Sequence, residues 1–283
     1  MFGIFDWLPA APYRGQWQVV AIILMALGVY FYCLGPLRHR HRLGPPAPRW
    51  RVGCALAAAF AVYLSEGTVL HTLSEQYLFS AHMLQHSLLI LVTAPCIVMA
   101  LPDWLVRYAL RFPGVAPVAR FLTRPLIAYL AYNVVYAAWH FPIFYQAPLQ
   151  LHWLHLIQHI TMAGTAVLMW WPLLSPSSDL PRLSYGGQLV YAFLMVVAQL
   201  PLFAPITFAH APIYGFYADA PRVWVIGPLE DQQWAGIIMK LTSMLVLLTV
   251  VGISFFRWAK EEGGAAMHAA GRRSRQVPDH ARP

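Results

Sequence analysis

Apolar stretches of membrane-crossing length alternate with short polar connections along the whole chain. Runs near 17–34, 52–70, 82–101, 125–140, 153–174, 187–206 and 234–256 approach or reach the ~20 residues that a helix needs to cross a bilayer. The pattern predicts an all-α, polytopic membrane protein: a bundle of about seven transmembrane helices over 17–256. An outer segment, 1–16, precedes it, and an irregular basic tail, 257–283, follows. In the outer segment Phe2, Phe5 and Trp7 are candidate interface anchors. Pro201 and Pro205 should end or kink the sixth run, and Pro95 should kink the third and free a backbone carbonyl, since proline has no N–H to donate.

Two of the apolar runs open on histidines. His82-Met-Leu-Gln-His86 begins the third, and His152-Trp-Leu-His155-Leu-Ile-Gln-His159 begins the fifth. Helical spacing places His82 and His86 on one face, and His152, His155 and His159 on one stripe. Imidazole is costly in a membrane, so clusters at matching helix ends point to one shared polar site.

Charge supplies an orientation. The connection after the first run carries Arg38, Arg40, Arg42, Arg49 and Arg51 without an acid, and the next alternate one carries Arg107, Arg111, Arg120 and Arg124 against Asp103. The positive-inside rule puts both in the cytoplasm, together with the basic C-terminus, and puts the N-terminus outside. The net charge of +8 then reflects topology. No aromatic–basic pattern points to nucleic acid. With this orientation His71, His82, His86, His140, His152, His155, His159 and His210 all fall at the outer face, whereas His39, His41, His268 and His280 do not.

Further residues could complete a site. Glu66 ends the second run near His71, with Glu75 following, and a carboxylate there could orient an imidazole's second nitrogen. Glu230 and Asp231 open the last run; they could do the same or coordinate directly, or serve the helix dipole alone. Met162 continues the histidine stripe, and imidazole with thioether is a set that suits copper. Lys240 lies inside the last run and needs a partner, with Glu66, Glu230 and Asp231 as candidates. Cys33, Cys54 and Cys96 form no CxxC and read as small buried residues.

The ordered motifs resemble the CtaG family of caa3-type cytochrome c oxidase assembly factors. They are His82-Met-x-Gln-His86 with Ala94-Pro95, and Trp139-His140-x-Pro142-x-x-Tyr145. Then come His155-x-x-x-His159 with Gly164 and Trp170-Trp171-Pro172-Leu173, and Leu229-Glu-Asp-Gln-Gln233 with Gly236 and Met239. The resemblance implies a multi-helix protein of the bacterial cytoplasmic membrane that works with cytochrome c oxidase subunits and helps copper reach them. On matching positions it carries over His82, His86, His140, His155, His159, Glu230 and Asp231; His152, His71 and His210 rest on depth alone. A periplasmic copper chaperone is a candidate partner. No nucleophile with its base and no phosphate loop is apparent, so an enzyme is not expected. Two rivals remain open: a membrane b-type haem protein with axial histidines, and a metal- or proton-coupled transporter, although no internal repeat of that kind is apparent.

Overall fold

The computed structural model describes residues 16–223 and 225–275, without the side chains of Gln150, His152 and residues 263–275. The outer segment expected at 1–16, with its three aromatic anchors, therefore lies almost wholly outside the described residues. The described residues form helices joined by short connections, with no strand among them.

Long rods are linked by short caps: α1 (Trp17–His41), α2 (Arg49–Glu66), α3 (Val69–Gln76) and α4 (Phe79–Ala100) come first. The short α5 (Asp103–Ala109) and α6 (Val115–Leu122) lead to α7 (Pro125–His140), α8 (Pro142–Gln150) and α9 (His152–Leu174). The chain ends with α10 (Tyr185–Thr207), the short α11 (Gly215–Asp219) and α12 (Pro228–Arg275). Four helices, α1, α4, α10 and the Pro228–Glu262 part of α12, are long and apolar enough to cross a membrane. The bent pairs α2–α3 (47°) and α7–α8 (74°) raise the number to six. Seven were expected. The rod outside this reckoning, α9, has 23 residues, but His155, Gln158 and His159 dilute its apolar character. Past 256, where an irregular tail was expected, α12 continues to Arg275, through Ala, Glu and Lys positions that favour helix.

The central rod is α4, which packs against α2, α3, α9 and α12. Its Leu89–Thr93 turn is widened to π-helix ahead of Pro95; a widened turn makes room for the proline ring where the i→i−4 bond is missing. The Ile90 carbonyl in that turn accepts from the Trp170 indole N–H of α9 at 2.8 Å. Both ends of α4 are also tied. Asp231 accepts from the Phe79 and Ser80 amides at 2.8 and 3.1 Å, satisfying donors that every helix start leaves open. At the other end Arg51 donates to the Met99 carbonyl at 2.8 Å and to that of Leu101.

A similar repair explains Lys240. Pro201 interrupts α10, and the Lys240 ammonium donates to the Val196 carbonyl one turn earlier at 3.2 Å while lying 5.0 Å from the Phe203 ring centre. The carboxylate partners expected for it are thus replaced by a backbone carbonyl and a ring face. Close approach of α12 to the end of α10 requires Gly236, where a Cβ would come within 2.1 Å of the Thr207 Oγ1. By contrast α1 buries none of its residues. Its exposed Trp17, Ile22, Leu24 and Met25 suit a lipid environment.

A buried histidine cluster at one end of the bundle

The cluster forms where α4 and α9 begin and α7 ends. Pro142 cannot continue α7, so the chain turns sharply at Phe141 and leaves His140 in the last helical position. The i,i+4 spacing of His82 with His86 and of His155 with His159 stacks each pair along its own helix, with ring centres 4.3 and 4.2 Å apart. The pairs face each other: His82 is 5.7 Å from His155 and 6.0 Å from His159, and His86 is 5.3 Å from His159 and 6.0 Å from His140. All five rings are buried, the most open, His159, being 8% exposed.

Hydrogen bonds dictate which nitrogen of each ring points inward. His155 Nδ1 donates to Glu75 Oε1 at 2.8 Å, and His159 Nδ1 donates to Glu66 Oε1 at 3.0 Å. His140 Nδ1 donates to the Tyr136 carbonyl at 2.6 Å. The Tyr217 hydroxyl donates its one proton to the Ser74 carbonyl at 2.6 Å, so its 3.0 Å contact with His82 Nδ1 is one in which the imidazole donates. Burial raises the Tyr217 pKa above its ordinary value, with nearby Asp231 and Glu75 adding to the effect, and keeps that proton in place. Four imidazoles are therefore Nδ1–H tautomers with a lone pair on Nε2.

One ligand atom from each of His82, His155 and His159 lies within 4.8 Å of the others, an arrangement able to hold a metal ion. The Nε2 atoms of His82 and His86 are 2.9 Å apart. Nε2 of His140, His155 and His159 and Nδ1 of His86 are buried without a hydrogen-bond partner. His140, His155 and His159 thus each have a carbonyl or carboxylate behind one nitrogen and leave the other bare, the arrangement by which proteins orient metal-ligating histidines.

The remaining candidates go elsewhere. His71 lies between the two carboxylates beside the cluster, its Nε2 3.3 Å from Glu75 and its Nδ1 3.1 Å from the Gln85 amide nitrogen and 3.4 Å from Glu66, and does not join the converging set. Asp231, expected as ligand or orienting group, is occupied as the cap of α4. Glu230 is exposed and accepts from the Gly227 amide at 3.1 Å within its own helix start. Helix-start chemistry claims both acids. His210 is exposed, Met162 is packed in the apolar core, and the side chain of His152 lies outside the described residues.

Sequence reasoning gave Glu66 and Glu75 a supporting place near His71 but did not assign them to α9, and it missed Tyr217. One signal could have helped. His82–His86 and His155–His159 both read H-x-x-Q-H, and both glutamines are buried, so the two helices present the same face to each other.

The family model of the cytochrome c oxidase caa3 assembly factor (Caa3_CtaG) fits residues 28–261. No curated protein and no solved structure matches.

Proposed function

We propose that this chain, which belongs to the cytochrome c oxidase caa3 assembly factor family, binds copper at its histidine cluster and hands it to an oxidase subunit. Family membership ties the protein to oxidase assembly and points to a role other than catalysis. Copper as cargo is our reading. The observation that carries it is the convergence of buried imidazole nitrogens from separate helices, with His155 and His159 bare at Nε2 and each oriented by a carboxylate behind its ring. Imidazole donors suit copper, and the absence of a carboxylate from the converging set disfavours calcium or magnesium.

Haem fits this arrangement less well. Within each i,i+4 pair the ring centres are only 4.3 and 4.2 Å apart, which leaves no room for a macrocycle between His82 and His86 or between His155 and His159. Release must follow binding in a delivery factor. Three imidazoles without a thiolate form a shell that a client's ligands can displace.

The arginine pattern supports a topology of seven crossings with the N-terminus outside, the C-terminus cytoplasmic and the cluster at the outer face. Arg51 lies at the end of α4 opposite His82, as that topology requires. A periplasmic copper chaperone would then be the natural donor. The test is copper analysis of the purified chain alongside His82→Ala and His159→Ala, with oxidase activity measured in membranes carrying each. Both variants should lose metal and oxidase activity together. Wild-type copper content in both variants would overturn the reading.

A further inference from the structure

Five imidazoles meet in the cluster, yet the set whose donor atoms fit around one ion contains three: His82, His155 and His159. His86 and His140 are left over, each 3% exposed. His140 is held by Nδ1 on the Tyr136 carbonyl and has nothing on Nε2; His86 has nothing on Nδ1. A buried polar atom without a partner is costly, so two neighbouring ones call for a ligand. Their ring centres are 6.0 Å apart. Two metal–nitrogen bonds of about 2.0 Å plus two ring radii give about 6 Å for a pair of imidazoles gripping one ion from opposite sides.

We infer that His86 and His140 form a second copper station, two-coordinate and matched to Cu(I), beside the three-imidazole one. This rests on the cluster being a copper site. Beside His86 lies a small cavity whose lining mixes Met83 and Met239 with the polar Ser87, Gln199 and Ser243; the two thioethers favour a soft monovalent ion. Position suggests how the stations communicate. His86 stands between them, its Nε2 2.9 Å from that of His82 and its ring within 6.0 Å of His140. An ion can pass by exchanging ligands, bonds to His86 and His140 forming as those to His82, His155 and His159 break. Copper stays Cu(I) throughout, and no proton or electron is required.

The test is anaerobic titration of the full-length chain in detergent with Cu(I), read against a chromophoric chelator. Wild type should take two equivalents, His140→Ala one and His155→Ala one. His140→Gln, which keeps bulk and can still donate to the Tyr136 carbonyl, should also take one, separating loss of a ligand from loss of fold. X-ray absorption should then give a mean coordination between two and three for wild type and three for His140→Gln. A single equivalent in wild type, or two retained by His140→Gln, overturns the second station and leaves the first standing. No tight Cu(I) in wild type overturns the copper reading itself.

Discussion

The carboxylates behind the α9 histidines offer a measurement that tests how the site works without touching a ligand. In Glu66→Gln the side chain keeps its shape and can still accept from His159 Nδ1, now 3.0 Å from Oε1, so only the charge is lost. An ion on His159 Nε2 would lie about 7 Å from that charge, across the hydrogen bond, the ring and one metal–nitrogen bond. At an effective dielectric of about 20, a unit pair at this separation is worth about 2.4 kcal/mol, or roughly fifty-fold in Kd. This falls inside the ~10–100-fold range for groups that orient metal-binding histidines. Glu75 is closer to its histidine at 2.8 Å but more exposed, 27% against 18% for the Glu66 side chain; screening should make Glu75→Gln the milder change. The assay is Cu(I) competition with a chelator, with circular dichroism to confirm unchanged helix content. A shift below about twofold in the Glu66→Gln, Glu75→Gln double variant, set against complete loss in His159→Ala, would show that these acids do not set ligand basicity.

Other residues give sharper yes-or-no outcomes. Tyr217→Phe removes the acceptor that fixes the His82 tautomer and the donor to the Ser74 carbonyl; copper affinity should fall severalfold in the same competition assay, with a stability loss of about 1–3 kcal/mol. Asp231→Ala should destabilise the fold by about 1–3 kcal/mol, because the Phe79 and Ser80 amides lose their partner; Glu230→Gln, at an exposed position, should melt within a degree or two of wild type. Lys240→Met leaves the Val196 carbonyl unpaired; it should lower the melting temperature and leave copper stoichiometry intact, whereas lost copper would mean that Lys240 belongs to the site. Gly236→Ala forces a methyl against the Thr207 hydroxyl and should lower stability by about 1–3 kcal/mol, with Thr207→Ala in the same chain restoring most of it.

Local signals in the chain were sufficient for the rods and insufficient for their elbows. Apolar runs identify helices because lipid and core alike demand apolar faces. Pro142, which cannot continue α7, marks where one elbow falls, but the angles of 74° there and 47° at Gly67-Thr68 are decided by neighbouring helices. Depth was legible too: histidines at the same end of several rods had to lie in one layer, and His82, His86, His140, His155 and His159 do meet there. Which acids would join them was not. Glu230 and Asp231 sit at a helix start, where local chemistry already had a use for them. The pairing of Glu75 with His155 and of Glu66 with His159 crosses eighty residues or more, and nothing periodic in the sequence records a contact between separate rods.

Where the parts are anchored bears on how an ion could be held and still given up. The α4 histidines stand on a rod pinned by Asp231 at its start, Trp170 at its widened turn and Arg51 at its end. The acids that orient the α9 ligands come instead from the α2–α3 elbow, whose two arms meet at 47° and are linked to each other through His71. One half of the cluster is thus set by the core and the other by a cap at the end of the bundle. A client that drew on the cap would weaken His155 and His159 as ligands while His82 and His86 stayed in place. Release would then need no unfolding of the core. Crosslinking α3 to the start of α4 with an engineered cysteine pair should leave Cu(I) affinity intact and slow transfer to an acceptor chelator; equal transfer rates before and after reduction of the crosslink would show that the cap takes no part.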